Sequence, residues 1–543
     1  MSHPGSGHSE WWKSAVFYQI YPRSFADANG DGIGDFLGMT SKLNYLKELG
    51  VDALWLSPHF PSANKDFGYD ITNYEGVGAE YGTMADFDAF LARAHGLGLK
   101  VILDWVVNHT SDEHPWFLES KQSRDNPKAD WYVWETEKPN NWQSLFEGDA
   151  WTWSPERSQY YYHFFLKEQP DLNWHNPEVQ AAVWKAIRFW LDKGVDGLRL
   201  DAIGTVFEDP QRRDHRAGLT IAEVKRFNAR VKTEEDRRQN DRNWRLMFEY
   251  QNSTKFGVHD LLKELRTLVA GYPGDRVLVG EEAHPSYYGN GHDELQLVFN
   301  FPLMFSVPLT PAKIRHNQRY RTRQLDRVSP DCWPCNTLGN HDVSRVASRS
   351  GNHPGVNRLN TLLLATLRGT PFFYNGEELG MVDHLFWGEG QLLDSPALWY
   401  AEVLETEHGL PRGEARRQAA LSGRDKLRTP LPWDREGWTN PWLPHHPNHK
   451  DGLNVADQTG DPASMLEFTR QILALRRRYP ALQVGQQEVL LPRSRTLLAF
   501  RRFTASESLL IVMNWSDKPR ELTLSGHEFQ LPAWGWSVTE EKP

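Results

Sequence analysis

The sequence predicts a closed parallel (β/α)8 barrel, a TIM barrel, and three observations carry that prediction. The first is alternation. Eight short apolar runs, at 15–21, 53–57, 100–107, 196–201, 277–281, 295–301, 336–339 and 371–375, are separated by helix-like stretches. Strands that alternate with helices form parallel sheets, and eight such units close into a barrel. The second is where polar residues gather. Asp104, Asn108 and His109, then Arg199 and Asp201, then Glu281, His341 and Asp342, and Glu377 all stand where a run stops. The C-terminal ends of the strands are where such a barrel builds its active site. The third is the run Gly-Val-Asp-Gly-Leu-Arg-Leu-Asp at 194–201. Side chains alternate along a strand, so Leu198 and Leu200 point to covering helices while Gly197, Arg199 and Asp201 point the other way. A charged pair inside a core strand is costly to desolvate and so usually has a reason beyond stability, with a structural Arg–Asp pair as the alternative that the rest of the chain has to decide. The guanidinium is expected to keep Asp201 ionised, as a carboxylate nucleophile must be.

Taken in order, residues 1–109 form the first part of the barrel, with an amphipathic helix at 84–98 between the second and third runs. Residues 110–176 are too many for a connection and are rich in Trp, Asn, Asp and Pro, so an inserted domain is predicted there. The barrel resumes over 177–482, opening with a helix at 177–193 and closing with one at 466–479. From 483 to 543 the periodicity changes to short alternating segments at 496–500, 509–514 and 522–524, which predict an antiparallel β-sandwich domain.

Composition excludes several classes. The 543 residues are 39% hydrophobic and 24% charged, enough for a large core in more than one domain. A net charge of −10 without a basic block argues against nucleic acid and anionic membranes. No apolar run is long enough to cross a bilayer, and the start lacks a basic segment followed by an apolar one, so a cytoplasmic location is expected. The 23 Trp, 18 Tyr and 26 Phe can stack on sugar rings as well as fill cores. Cys332 and Cys335 have redox-motif spacing but lead into a strand rather than a helix N-terminus, which argues against a reactive pair. The prolines around His445, His446 and His449 predict an exposed loop rather than a metal site.

Longer motifs are more specific. They are Tyr-Gln-Ile-Tyr-Pro-Arg-Ser-Phe at 18–25, Gly-Tyr-Asp-Ile at 68–71, Asp-Trp-Val-Val-Asn-His at 104–109 and Gln-Pro-Asp-Leu-Asn-Trp at 169–174. They continue with Asp201, Gly-Glu at 280–281, Gly-Asn-His-Asp at 339–342, Gly-Glu-Glu at 376–378 and Arg-Thr-Pro at 428–430. In this order, over nearly the whole chain, they resemble the alpha-amylase superfamily of glycoside hydrolases, and within it the alpha-glucosidase and oligo-1,6-glucosidase group. The resemblance implies the same barrel, insertion and C-terminal sheet domain. It also implies Asp201 as nucleophile, Glu281 as general acid/base and Asp342 as the carboxylate supporting the transition state. Retaining glycosidases need one ionised carboxylate and one protonated carboxyl roughly 5 Å apart, and neighbouring negative charge is expected to raise the pKa of Glu281. Glu282 competes by residue type, but strand alternation lets only one of the two face the pocket.

His109, His341, Asp70 and Arg428 are implied to grip the terminal glucose, with Asp70 and Arg428 pairing at the closed end of a pocket. Such a pocket admits chain ends and short saccharides, and polymeric starch is expected to be poor. Ala202, next to the nucleophile, stands where a valine in this group goes with alpha-1,6 bonds, so alpha-1,4 or sucrose-type linkages are expected. The loop 27–35 sets Asp27, Asn29, Asp31, Ile33 and Asp35 at alternate positions, as the start of a calcium loop does, although it lacks the Glu that ends an EF-hand. A metal-free turn is the alternative from spacing alone. The resemblance implies one structural ion, usually calcium, with magnesium second.

Residues 383–424 and 250–257 depart from the family pattern and are expected at the pocket mouth. The expected partner is a small alpha-glucoside, and a monomer is favoured. Two further readings compete with this one. One is a glucosyltransferase, or an enzyme of the sucrose isomerase or trehalose synthase type, using the same glucosyl intermediate; no arginine-rich isomerase loop is seen. The other is a transporter heavy chain, which would lack the carboxylates and carry a membrane helix.

Overall fold

The computed structural model describes residues 10–252 and 256–541. All eight predicted runs supply barrel strands: Phe17–Ile20, Ala53–Leu56, Lys100–Val106, Gly197–Asp201, Val277–Gly280, Leu297–Val298, Cys335–Thr337 and Thr370–Tyr374. Neighbours pair in parallel, and the first strand joins the eighth through Phe17 and Phe372 and the second through Phe17 and Ala53. A parallel bridge from Phe299 to Cys335 spans the remaining gap between the sixth and seventh strands.

Alternation divides the strands as the sequence implied. Tyr18, Ile20, Leu54, Leu56, Leu198 and Leu200 join the large core shared with the helices. Phe17, Ala53, Trp55, Ile102, Val279, Phe299 and Phe372 fill the barrel interior, with Trp12 and Trp333 beneath them. One step further along the strands the interior turns polar, at Gln19, Asp104 and Arg199, all buried. A Cβ on Gly197 would lie 2.2 Å from the Val277 carbonyl oxygen, so only glycine lets the fourth and fifth strands approach this closely.

The connecting helices start on designed caps. Met84–Gly96 begins with a Thr83/Asp86 capping box, and Pro177–Asp192 has Asn176 as N-cap with proline at the first turn. Between the third strand and Pro177 stands a three-stranded antiparallel sheet of Trp134–Glu135, Gln159–Tyr162 and Trp151–Ser154, with Trp142, Trp151, Tyr162, Phe164 and Phe165 in its own core. Antiparallel bridges His109↔Asp171 and Tyr132↔Leu172 tie its two ends together.

Two further excursions at the same end of the barrel are helical. After the fourth strand come Ile221–Asn228 and Glu234–Met247, and after the eighth a hairpin of Ser395–Thr406 and Arg412–Ser422. Trp399 of the hairpin packs with Ile221, Val224 and Trp244. Of the segment 250–257 that departs from the family pattern, residues 253–255 lie outside the described residues.

The C-terminal region is a four-stranded antiparallel sheet facing a two-stranded one, Arg520–Leu524 with His527–Leu531. Ala499, Leu510 and Val512 meet Phe529 and Leu531 between the sheets. The other face, with Leu498, Phe500, Leu509, Ile511 and Met513, belongs to the main core. Cys332 and Cys335 are free and buried, and burial pushes the Cys332 thiol up to about 11, so neither offers a reactive thiolate. The loop of His445 and His446 is partly buried rather than exposed, because His445 accepts the Trp438 N–H at 2.8 Å and His449 is buried beneath it. Among the described residues no helix is long and apolar enough to cross a membrane.

Candidate active site

The site is built around one cation. Arg199 is fully buried, with its guanidinium 5.0 Å from the Trp55 ring. Its Nη1 lies 2.6 Å from Asp104 Oδ1 and 2.6 Å from Asp201 Oδ1, and its Nη2 lies 2.7 Å from Glu281 Oε2. Trp55 Nε1 and the Tyr69 hydroxyl both donate to Asp104 Oδ2 at 3.0 Å. Three carboxylates from three adjacent strands therefore share one guanidinium.

That sharing corrects the expectation that Arg199 keeps Asp201 ionised. Burial pushes the Asp201 carboxyl well above the usual range; Arg199 opposes this, but the negative charges of Glu281 and Asp104 add to it. One positive charge cannot offset three negative ones in a desolvated cluster. The Glu281 carboxyl, beside that of Asp201 on the same guanidinium, raises the Asp201 carboxyl further. Glu281 also accepts the Ala202 N–H at 3.0 Å. Glu282 turns away, as alternation required: its Oε1 accepts the N–H groups of Ala283 and His284 at 2.7 and 3.3 Å.

Asp342 is the opposite case. Its Oδ1 lies 2.8 Å from Arg428 Nη2 and 3.4 Å from Arg424 Nη1, and its Oδ2 lies 3.1 Å from His341 Nε2. Burial works against its charge, but His341, Arg428 and Arg424 hold it well below the usual carboxylate range. His341 is braced by Gln19 at 2.7 Å and by the Tyr69 hydroxyl at 2.6 Å, and burial lowers its pKa strongly. At neutral pH it is therefore neutral, and the two guanidiniums supply the lasting attraction.

The expected pair at the closed end is not Asp70 with Arg428. Asp70 accepts from Ser62 Oγ at 2.8 Å, from Lys65 N at 2.9 Å and from Asp66 N at 3.0 Å, so it shapes the turn that presents its neighbours. Arg428 donates to the His341 carbonyl at 2.9 Å and to Asp342. The pair is Asp66 with Arg424, 2.6 Å apart, and Asp394 grips the same guanidinium at 2.7 and 2.9 Å. Both partners lie four residues before the ones expected. A motif shows that such a pair exists, but only the turn decides which acid faces inward. Gln169, also missed, donates to Asp66 Oδ2 at 3.2 Å and stands 3.0 Å from His109 Nε2. Burial lowers the His109 pKa to about 3, so it serves as a neutral hydrogen-bonding group. Glu377 lies apart from the cluster, near Arg345 and Arg349, and burial raises it to about 7.

Ala202 has φ 45° and ψ 33°, a left-handed conformation uncommon for any residue but glycine. In the loop 27–35 the acidic side chains bind backbone. Asp27 accepts from Gly30 N and Gly32 N, Asn29 from Asp31 N, Asp31 from Ile33 N, and Asp35 from Ala28 N and Gly38 N. These are hard oxygen donors with lone pairs left over, which suits calcium. Among the described residues no three acidic, His or Cys side chains converge as ligands, so an ion would have to draw Asp27, Asp31 and Asp35 together.

Comparison with known proteins agrees with this geometry. Residues 19–485 match the alpha-amylase catalytic domain family. The chain is 38% identical to a probable alpha-glucosidase of Rhizobium meliloti (strain 1021), over 97% of this chain and 96% of that one. It is 37% identical to an oligo-1,6-glucosidase of Parageobacillus thermoglucosidasius, over 95% and 92%. Among solved structures, an alpha-glucosyl transfer enzyme superposes with TM-score 0.84 at 38% identity, covering 98% of this chain and 99% of that one. The trehalulose synthase of Pseudomonas mesoacidophila MX-45 superposes with TM-score 0.85 at 34% identity, over 99% and 100%. A barrel with its carboxylates at the strand ends, matched over almost its full length by these relatives, belongs to the alpha-amylase family of glycoside hydrolases.

Proposed function

We propose that the protein is a retaining, exo-acting alpha-glucosidase that removes terminal alpha-linked glucose from small saccharides of the maltose or sucrose type. The observation that carries this reading is the placement of Asp201 and Glu281 together on Arg199, with the buried Asp66–Arg424 pair reaching Asp342 through Arg424. Asp66, His109, His341 and Arg424 hold the glucose, and Asp342, kept ionised, supports positive charge on its ring. Glu281, acting as the acid, gives a proton to the leaving oxygen as Asp201 attacks the anomeric carbon. The bond from glucose to the leaving sugar breaks and a glucosyl ester on Asp201 forms. Water, deprotonated by Glu281, then attacks the same carbon and frees Asp201. Two displacements retain configuration, so nuclear magnetic resonance during hydrolysis of an aryl alpha-glucoside, whose leaving group is not glucose, should show alpha-glucose first. Beta-glucose as the first product would reject the mechanism.

Ala202 supports alpha-1,4 or sucrose-type bonds over alpha-1,6, because a larger side chain would change the shape beside Asp201 where the leaving sugar sits. The loop 27–35 is included as a structural calcium site, with magnesium second, and a cytoplasmic monomer is the reading consistent with the composition. The likeness to a glucosyl transfer enzyme and to trehalulose synthase favours one alternative. There a sugar, rather than water, accepts the glucosyl group. Product analysis of sucrose digests separates the two: free glucose and fructose mark hydrolysis, and a new disaccharide marks transfer.

A further inference from the structure

We propose that Lys225 is a positioning residue for the closed end of the glucose pocket, holding Phe146 against Arg424 where three inserted segments meet. This rests on the assignment of Arg424 to glucose made above. Lys225 stands on the helix Ile221–Asn228, and its Nζ donates to the Phe146 carbonyl at 2.8 Å, in the insertion after the third strand. The same ammonium lies 5.0 Å from the ring of Trp399, in the hairpin after the eighth strand. The Phe146 ring faces the Arg424 guanidinium at 4.9 Å and packs on Phe165 at 5.1 Å. Phe165 in turn meets His109 edge-on at 5.1 Å. One lysine thus reaches two glucose-binding groups through a single aromatic pair. The helix is tied to the same insertion by the Ile221 N–H, which donates to Gln143 Oε1 at 3.2 Å, so the lysine has a fixed base.

A partly buried ammonium is costly, and an aliphatic side chain would fill the space without that cost. What the charge adds is direction. A charge-assisted hydrogen bond and a cation–π contact each fix the position of their partner. The charged groups facing Lys225 are Asp394 and Glu147, which attract it, and Arg424, which repels it. Burial lowers its pKa to about 8, so the ammonium loses its proton just above neutrality.

The test uses the whole enzyme with maltose and an aryl alpha-glucoside. Lys225→Met should raise KM about tenfold while kcat stays within about threefold, the pattern of lost ground-state positioning. Wild-type KM should rise between neutral pH and about pH 9 as Lys225 is neutralised, and Lys225→Arg should abolish that rise because its guanidinium stays charged. A folded Lys225→Met with unchanged KM overturns the inference, and so does an alkaline rise that persists in Lys225→Arg. Should Lys225→Met not fold, the comparison of wild type with Lys225→Arg decides alone. Absence of any alpha-glucosidase turnover would instead sink the functional reading, so the two failures are distinct.

Discussion

Arg424 and Asp66 form a buried ion pair at 2.6 Å, and both lie four residues upstream of the arginine and aspartate that the motifs suggest. The contrast between neighbours gives the first prediction. Asp66→Ala should lower kcat/KM for maltose by about two to three orders of magnitude, since removing one partner of a buried charged pair costs about 3–5 kcal/mol. Asp70→Ala should act mainly on stability, because its carboxylate serves backbone N–H groups. The two variants are compared by steady-state kinetics and thermal melting. A larger kinetic loss for Asp70→Ala than for Asp66→Ala would reverse the assignment.

Asp201→Asn should remove activity by several orders of magnitude with the fold retained, because an amide forms no glycosyl ester. Glu281→Gln should hurt maltose far more than an activated aryl glucoside in the first step, where the leaving group needs no proton. Burst kinetics of glucosyl-enzyme formation on both substrates measure this. Equal losses would deny Glu281 the role of acid.

The acid limb of kcat/KM should lie above pH 4, the ordinary aspartate range, because Asp201 must be ionised and its folded-state pKa is raised. Activity is then lost as pH falls through that raised value. Burial is the largest cause, and Asp104 is among the groups that add to it. Asp104→Asn should therefore move the limb to lower pH, as read from a pH–rate profile. A limb that stays in place would show that Asp104 does not act on the nucleophile.

Chelation should lower the melting temperature more than it lowers activity at mild temperature, since an ion bound only to the folded state stabilises by mass action. Asp31→Ala should copy the chelator. Melting that is indifferent to chelator, with no divalent ion in elemental analysis, would leave the loop 27–35 a turn closed on its own backbone.

Ala202→Val should shift the ratio of catalytic efficiencies from maltose toward isomaltose by about 1–3 kcal/mol, the scale of a methyl-sized change in a pocket. It should also lower stability, because a β-branched residue is strained at φ 45°. A wild type that already prefers isomaltose would defeat this reading.

The barrel was legible because its signal is periodic and repeated. Phe17, Gln19, Trp55, Arg199 and Asp201 each face the interior as strand alternation requires, and the polar residues mark the working end. Asp201 and Glu281 stand on or just after regular strands, where sequence position fixes direction, and Asp342 follows in a turn closed by the Asn340 side chain. Asp66, Gln169 and Arg424 stand in turns outside that periodicity, and their directions depend on hydrogen bonds such as those of Asp70. The charge state of Asp201 is hidden from the sequence for a related reason. The sequence placed Arg199 beside one acid, while the adjacent strands bring Asp104 and Glu281 to the same guanidinium. The charge balance of a site is a property of the sheet rather than of any one strand.

The plug of rings formed by Phe17, Trp55, Phe299 and Phe372 leaves the interior without a back exit. Under the proposed function the site is a cul-de-sac with one doorway, and traffic through it is ordered. The severed sugar must back out before water can reach the ester, and glucose departs last through the space its partner vacated. A second sugar waiting in that doorway would meet the ester before water does. Crowding by saccharide should therefore tip this enzyme from cutting toward joining, without any change in the residues that perform either reaction.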